Sequence, residues 1–133
     1  MSDCIFCKIV AGQAKSWKVY ENENIYAFLD IHPVNEYHTL VIPKAHYENI
    51  FDIPEDKLKE VITVVKRLAI LYQNKLGINN VQIINSSGSE AQQDVFHVHF
   101  HIVPRKKGDH QDVRWTTHPE WAEKYDQLLE RLR

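Results

Sequence analysis

The chain has 133 residues, with 16 Lys and Arg against 18 Asp and Glu, a formal charge of −2 with histidine neutral. That length fits one domain spanning 1–133, and the near-balance of charge excludes a surface built to coat nucleic acid, which needs a basic excess. With 44% hydrophobic and 11% aromatic residues the chain can bury a core without disulfide staples, which excludes disorder as its main state.

The N-terminus, Met1-Ser2-Asp3, carries acid where a secretory leader carries base, and no apolar run of membrane-spanning length follows anywhere. A cytoplasmic protein with no membrane partner is expected. Cys4 and Cys7 are too close to staple distant elements and no other cysteine is present, so the C-x-x-C spacing points to metal binding or redox chemistry. Residues 4–11 read as a short helix. Lys18 to Glu21 and Asn24 to Asp30 read as two β-runs joined by a turn at 21–24, and Thr39 to Ile42 as an apolar strand closed by Pro43. A long helix is predicted from Pro54, with Leu58, Val61, Ile62, Val65, Leu68, Ala69, Tyr72 and Leu76 at 3–4 spacing and Gly77 as its stop. Val81 to Asn85 reads as a strand, 86–94 as a polar loop and Val95 to Val103 as an alternating strand. Pro119 to Leu132 reads as a terminal helix with Trp121, Tyr125, Leu128 and Leu129 on one side. Strands with one long helix inserted between them suit an α+β fold with antiparallel pairing.

Four glycines (Gly12, Gly77, Gly88, Gly108) are scattered so that no two lie within ten residues, which excludes P-loop and Rossmann phosphate cradles. Eight histidines outnumber them. Three of these fall in Phe96-His97-Val98-His99-Phe100-His101-Ile102-Val103, where strand alternation projects His97, His99 and His101 to one side and Phe96, Val98, Phe100 and Ile102 to a core. An ordinary solvent face would carry Thr, Lys, Glu and Arg instead. Two chemistries compete: a three-histidine catalytic zinc, or imidazole as nucleophile and acid near neutral pH. Alternate strand side chains stand roughly 6.5–7 Å apart, which puts the outer two about 13 Å apart. A row along a substrate fits that spacing better than a cage around one ion.

His-Val-His-Phe-His-Ile-Val resembles the motif of the histidine triad (HIT) family. Three more blocks, in order, resemble its bacterial Hint-like members: Asp3-Cys4-Ile5-Phe6-Cys7-Lys8-Ile9, the central run from Ala27 to Pro33 and His38 to His46, and Gly88 to Val95 leading into the triad. Only the chain beyond about residue 105 is weakly covered. The resemblance implies a HIT-like α+β fold with about five antiparallel strands. It also implies a homodimer with sheets joined across the two-fold axis, the tail residues Trp115 and Trp121 covering the partner's surface.

The activity implied is hydrolysis or transfer at the α-phosphate of a purine nucleotide conjugate with AMP or GMP, through a covalent nucleotidyl-histidine and without a catalytic metal. By position in the motif His99 is the nucleophile, its inner N–H held by a backbone carbonyl, His101 contacts the phosphate and helps the leaving group depart, and His97 and Asp94 complete the catalytic set. Asp30 matches the ribose-binding carboxylate, and His38 the histidine beside the triad that contacts the nucleotide near its phosphate. Asn85, Ser86, Gly88 and Gln93 are the further nucleotide-binding residues implied, in the loop by phosphate and ribose. Asp94 stands where many members have Ser or Thr contacting the leaving group, and its charge favours a leaving amine over a leaving phosphate. In members with the N-terminal cysteine pair, Cys4, Cys7, His46 and His97 would be the ligands of a structural zinc. Gln92 and Tyr37 replace glycines usual in the family. Phe6, Ile9 and Phe28 fit either a base slot or the core, and His32, His110 and His118 read as surface residues. A dinucleoside polyphosphate hydrolase, or a nucleotide-binding regulatory or scaffold module, are the alternatives.

Overall fold

Alternation of apolar residues on the central strands lets one sheet bury both of its faces. The computed structural model describes residues 3–133, and in it five strands pair antiparallel throughout in the order β1-β2-β3-β5-β4. The strands are β1 (Lys18–Glu21), β2 (Ile25–Leu29), β3 (Thr39–Pro43), β4 (Val81–Ile84) and β5 (Phe100–Pro104). The helices are α1 (Ile5–Val10), α2 (Glu55–Leu76) and α3 (Tyr125–Glu130). The α+β arrangement expected from the sequence is the one observed, and no helix among the described residues is long and apolar enough to cross a membrane.

Helix α2 covers one face, packing Val61, Val64, Val65, Leu68 and Tyr72 on Ile25, Ala27, Val41, Phe100 and Ile102. On the other face Phe6 and Ile9 of α1 pack on Tyr26, Phe28, Leu40 and Ile42. Adjacent residues of β2 and β3 thus enter different cores, as a two-residue strand period requires. Glu55 and Asp56 lie in the first turn of α2, where carboxylates complement the helix dipole. The helix ends at Gly77 in the left-handed conformation, with Gly77 N–H on Gln73 O and Ile78 N–H on Tyr72 O. Tyr72 donates its hydroxyl to Thr39 Oγ1 at 2.6 Å, since Thr39 itself donates to Tyr37 O at 2.7 Å. That pair ties α2 to the strand beside the histidines.

Three expectations need correction. The strand expected over 95–103 begins only at Phe100. Residues 95–97 bend, Val98 N–H bonds Tyr47 O at 2.7 Å instead of joining the ladder, and Phe96 is exposed rather than in the core. The terminal helix over 119–132 divides into a 3₁₀ segment, Pro119–Lys124, and the short α3. Its Trp121, Tyr125, Leu128 and Leu129 are exposed, so no buried face holds a longer helix together. On α2, Ile62 and Leu76 face solvent while Val64 is buried.

The two positions where the resemblance implies glycine are both left-handed here, Tyr37 at φ +65° and Gln92 at φ +72°. For L-residues that conformation costs roughly 1–2 kcal/mol. Tyr37 is partly compensated by packing its ring on Tyr72 at 5.6 Å between centroids, whereas Gln92 is exposed. Gln92→Gly is therefore expected to stabilise the protein by about 0.5–1 kcal/mol after the entropy glycine adds to the unfolded chain. Tyr37→Gly should bring no gain. Urea midpoints of the two variants check this, and a lowered midpoint for Gln92→Gly would contradict it.

Candidate functional site

The bend before β5 makes the site. It leaves His99 and His101 on the α1 face, with ring centroids 5.1 Å apart, closer than an extended strand would hold them. Phe6 packs nearly perpendicular to the rings of both His97 and His99, with centroids 5.8 and 5.2 Å away. A cleft opens in front of them. Ile5, Phe6, Ile9, Phe28, Ile31 and Leu40 form its apolar wall, and Asp30, Asp94, His99 and His101 its polar end. Phe6, Ile9 and Phe28 are core and slot at once. Lys15, Ser16 and His32 also line the cleft. His32 is exposed, as expected from the sequence, and stands at the edge of this cleft.

Hydrogen bonds decide which imidazole nitrogen is free. His99 Nδ1 lies 2.8 Å from the His97 carbonyl, so Nδ1 carries the proton and Nε2 presents a lone pair to the cleft. Asp94 Oδ1, itself accepting Val95 N–H at 2.9 Å, lies 3.7 Å from that Nε2. At His101 the order reverses. Val34 N–H donates to His38 Nδ1 at 3.1 Å, which leaves the proton of neutral His38 on Nε2. His38 Nε2–H donates to His101 Nδ1 at 2.9 Å, so His101 carries its proton on Nε2, toward the cleft. Burial keeps both rings neutral. It pushes His101 down to about 4, aided by His99 and His38, and it lowers His38 against the opposing pull of Asp30. Asp30 Oδ2 lies 3.5 Å from His38 Nε2, while Asp30 Oδ1 accepts His32 N–H at 2.8 Å.

Asp30, His38 and His101 bring three ligand-type atoms within 4.8 Å of one another. The amide on His38 Nδ1 argues against a metal there, because Nε2 could ligate only as an imidazolate. A second cluster has the opposite character. Cys4 Sγ, Cys7 Sγ, His46 and His97 also converge within 4.8 Å. Cys4 Sγ and Cys7 Sγ lie 3.4 and 3.5 Å from His97 Nδ1, and Cys7 Sγ 3.4 Å from His46 Nδ1. A tetrahedral zinc separates its sulfur and nitrogen ligands by about 3.5 Å. His97 Nε2–H donates to Pro43 O at 2.8 Å, which fixes its lone pair on Nδ1, facing the thiols. Burial pushes His97 down to about 4, keeping it neutral and ligand-competent, while burial and the neighbouring Cys4 raise the Cys7 thiol. Two thiols and two neutral imidazoles in this geometry fit a closed structural zinc site. The triad is thus shared out: His97 in the cluster, His99 in the cleft, His101 between the cleft and His38.

The remaining expected residues support the cleft without lining it. Asn85 Nδ2 donates to His99 O at 3.0 Å, and Asn85 Oδ1 accepts Ser87 Oγ–H at 2.9 Å. Gln93 is buried. Its Oε1 accepts Gly88 N–H and Asn49 Nδ2–H, and its Nε2 donates to Glu48 O and Val95 O, so its side chain holds the 86–95 loop. Ser86 precedes Gly88, which takes φ +100° at the loop's corner. Sequence reasoning misses the Val34 amide and the Pro43 and Tyr47 carbonyls, because backbone groups carry no residue signature. Ile5 and Ile31 were findable as apolar neighbours of Phe6 and Asp30.

Comparison with known proteins agrees with this architecture. The HIT domain family model matches residues 11–108, which is 98 of the 133 residues. A Streptococcus mutans crystal structure superposes with a TM-score of 0.92 at 39% identity, covering 99% of this chain and 84% of that one. A zinc-bound histidine triad family protein from Mycobacterium smegmatis has a TM-score of 0.79 at 34% identity, covering 98% of each. The adenosine 5'-monophosphoramidase of Candida albicans is 37% identical over 139 residues, covering 99% of this chain and 90% of that protein. The ordered motifs, the sheet and these matches together place this chain in the histidine triad (HIT) family.

Proposed function

We propose that this chain, residues 1–133 acting as one hydrolase domain, cleaves purine nucleotide conjugates at the α-phosphate, AMP–amines above all, through a nucleotidyl intermediate on His99. The observation that carries the reading is the 2.8 Å hydrogen bond from His99 Nδ1–H to the His97 carbonyl, which turns the Nε2 lone pair to the cleft. The activity named for the Candida albicans relative supports it.

In this reading Asp30 accepts the ribose hydroxyls and the wall of Phe6, Ile9 and Phe28 takes the base. His99 Nε2 attacks phosphorus, the P–N bond breaks, and the amine leaves after its nitrogen takes up a proton from solvent water. His101, neutral, donates its Nε2–H to the phosphoryl group, held in that tautomer by His38. The nucleotidyl-imidazole carries positive charge, which the Nδ1–H bond to His97 O and the Asp94 carboxylate stabilise. Water then attacks phosphorus and loses a proton to solvent, the bond from phosphorus to Nε2 breaks, and nucleotide is freed with His99 back in its neutral state. Asn85 and Gln93 position the nucleophile's backbone and the loop of Ser86 and Gly88. A zinc ion bound by Cys4, Cys7, His46 and His97 would supply a crosslink between the N-terminus and the triad, and no step of the chemistry. A thiol pair that holds zinc must stay reduced, which fits a cytoplasmic setting. The exposed Ile83 and Ile84 of edge strand β4, with Ile62 and Ile70 of α2, support a homodimer.

His99→Ala is expected to lower turnover of an adenosine phosphoramidate by at least about 10³-fold and to abolish the covalent adduct seen by mass spectrometry in a rapid quench. Full activity in that variant would refute the mechanism. On a substrate panel the wild type should favour an AMP–amine over a dinucleoside polyphosphate, and Asp94→Ser should narrow the gap several-fold. Faster polyphosphate cleavage by the wild type would select that alternative, and tight AMP binding without turnover on any substrate would select a regulatory module. Elemental analysis of protein prepared without chelator should find one zinc per chain, with Cys7→Ser reducing it sharply. Less than half an equivalent in the wild type would count against the metal assignment.

A further inference from the structure

The four-ligand cluster and the cleft are not separate regions of this protein. They share His97, whose ring Nδ1 faces the two cysteine sulfurs and whose carbonyl accepts the proton of His99 Nδ1 at 2.8 Å. They also share α1. Cys4 caps that helix, its Sγ accepting Cys7 N–H at 3.4 Å, and Cys7 lies within it. The same helix turn supplies Ile5, Phe6 and Ile9 to the cleft wall. Phe6 joins the two directly, since its ring touches His97 at 5.8 Å, His99 at 5.2 Å and Phe28 at 5.4 Å between centroids. Helix α1 has only six residues, too few to be stable without tertiary support. Its hold on the sheet comes from the apolar contacts of Phe6 and Ile9 and from the two cysteines it brings to His46 and His97.

We propose that metal binding at Cys4, Cys7, His46 and His97 and nucleotide binding in the cleft are thermodynamically coupled through helix α1 and His97, each strengthening the other. A metal ion that joins Cys4 and Cys7 to the two histidines fixes α1 against the sheet, which preforms the apolar wall. A nucleotide seated against Phe6 and Ile9 holds α1 down in turn, and so keeps both cysteines beside His97. Coupling of this kind is reciprocal, so the factor by which zinc tightens nucleotide must equal the factor by which nucleotide tightens zinc. The inference rests on the cleft being a nucleotide site and on the cluster being a metal site, and its test separates those premises from the coupling itself.

The test uses the full chain, Zn²⁺ and AMP, and needs no turnover. Zinc affinity is measured by competition with a chromophoric chelator, with and without saturating AMP. AMP affinity is measured by calorimetry on zinc-loaded and chelator-stripped protein, with circular dichroism confirming that the stripped chain is folded. The expected result is a tightening of about 5-fold or more in both directions, by the same factor, within the range typical of coupled sites. Phe6→Leu, which leaves all four ligands in place but loosens α1, should still bind zinc, more weakly, and bring the factor close to one. If stripping unfolds the chain, chelator extraction of zinc replaces the calorimetry. AMP should then slow extraction from the wild type and not from Phe6→Leu, even with AMP raised to saturate the variant. Two binding events whose affinities agree within twofold in the presence and absence of the other ligand would overturn the coupling and leave the proposed function standing. Absence of zinc binding, or of AMP binding, would overturn the coupling together with the corresponding premise.

Discussion

The hydrogen bond from His99 Nδ1 to the carbonyl of His97 is the contact around which the rest of the site is arranged. It requires the backbone to turn between the two histidines, and a regular strand could not provide it. An extended ladder would direct the His97 carbonyl to a neighbouring strand, out of reach of a side chain two residues on. The bend over 95–97 is thus the local irregularity on which the orientation of the His99 imidazole depends, and three contacts hold it. Val98 N–H is taken by Tyr47 O, the His97 ring is pinned by Pro43 O, and Asn85 Nδ2 holds the carbonyl of His99 itself. Irregularities next to sites commonly re-aim a side chain in this way.

One rule separates the two histidine clusters that a list of ligand types would treat alike. The nitrogen remote from the cluster decides what the near nitrogen can do. On His97 the remote nitrogen donates to a carbonyl, so the near one is a lone pair that suits a metal. On His38 the remote nitrogen accepts an amide proton from Val34, so the near one is a donor and sets the tautomer of His101. The same imidazole chemistry becomes a ligand in one place and a hydrogen-bond relay in the other. The choice lies with a backbone group on β3 and one on the turn after β2.

That choice also marks how far the sequence is legible. Strands β2 and β3, the length of α2 and its stop at Gly77 are readable, because apolar periodicity and a left-handed cap are local signals. The identity of the four-ligand cluster is readable only through resemblance, since His46 and His97 are 51 residues apart and nothing in their spacing pairs them. The bend is not readable at all. His97, Val98, His99 and Phe100 keep a perfect alternation while the chain leaves the ladder, because the partner that takes the Val98 amide is a carbonyl at Tyr47. Phe96 is misread for the same reason, as alternation assigns it to a core from which the bend removes it. His38 and Gln93 read as ligand contacts, yet their hydrogen-bonding groups face other protein groups, which only the fold reveals.

The scarcity of glycine takes on a physical meaning against this background. A glycine cradle holds phosphate with backbone amides, and it needs closely spaced residues free to take positive φ. Here two of the left-handed positions near the site carry Tyr37 and Gln92, which leaves those corners stiffer than glycine would. Tyr37 immediately precedes His38, the ring that sets the tautomer of His101, and its carbonyl accepts the Thr39 hydroxyl. Gln92 lies two residues before Asp94 and next to Gln93, the side chain that braces the 86–95 loop. A site built from oriented imidazoles gains from such stiffness, because a tautomer is useful only while its partners stay in place. In this fold rigidity at the corners does for the histidines what glycine's freedom does for a phosphate loop.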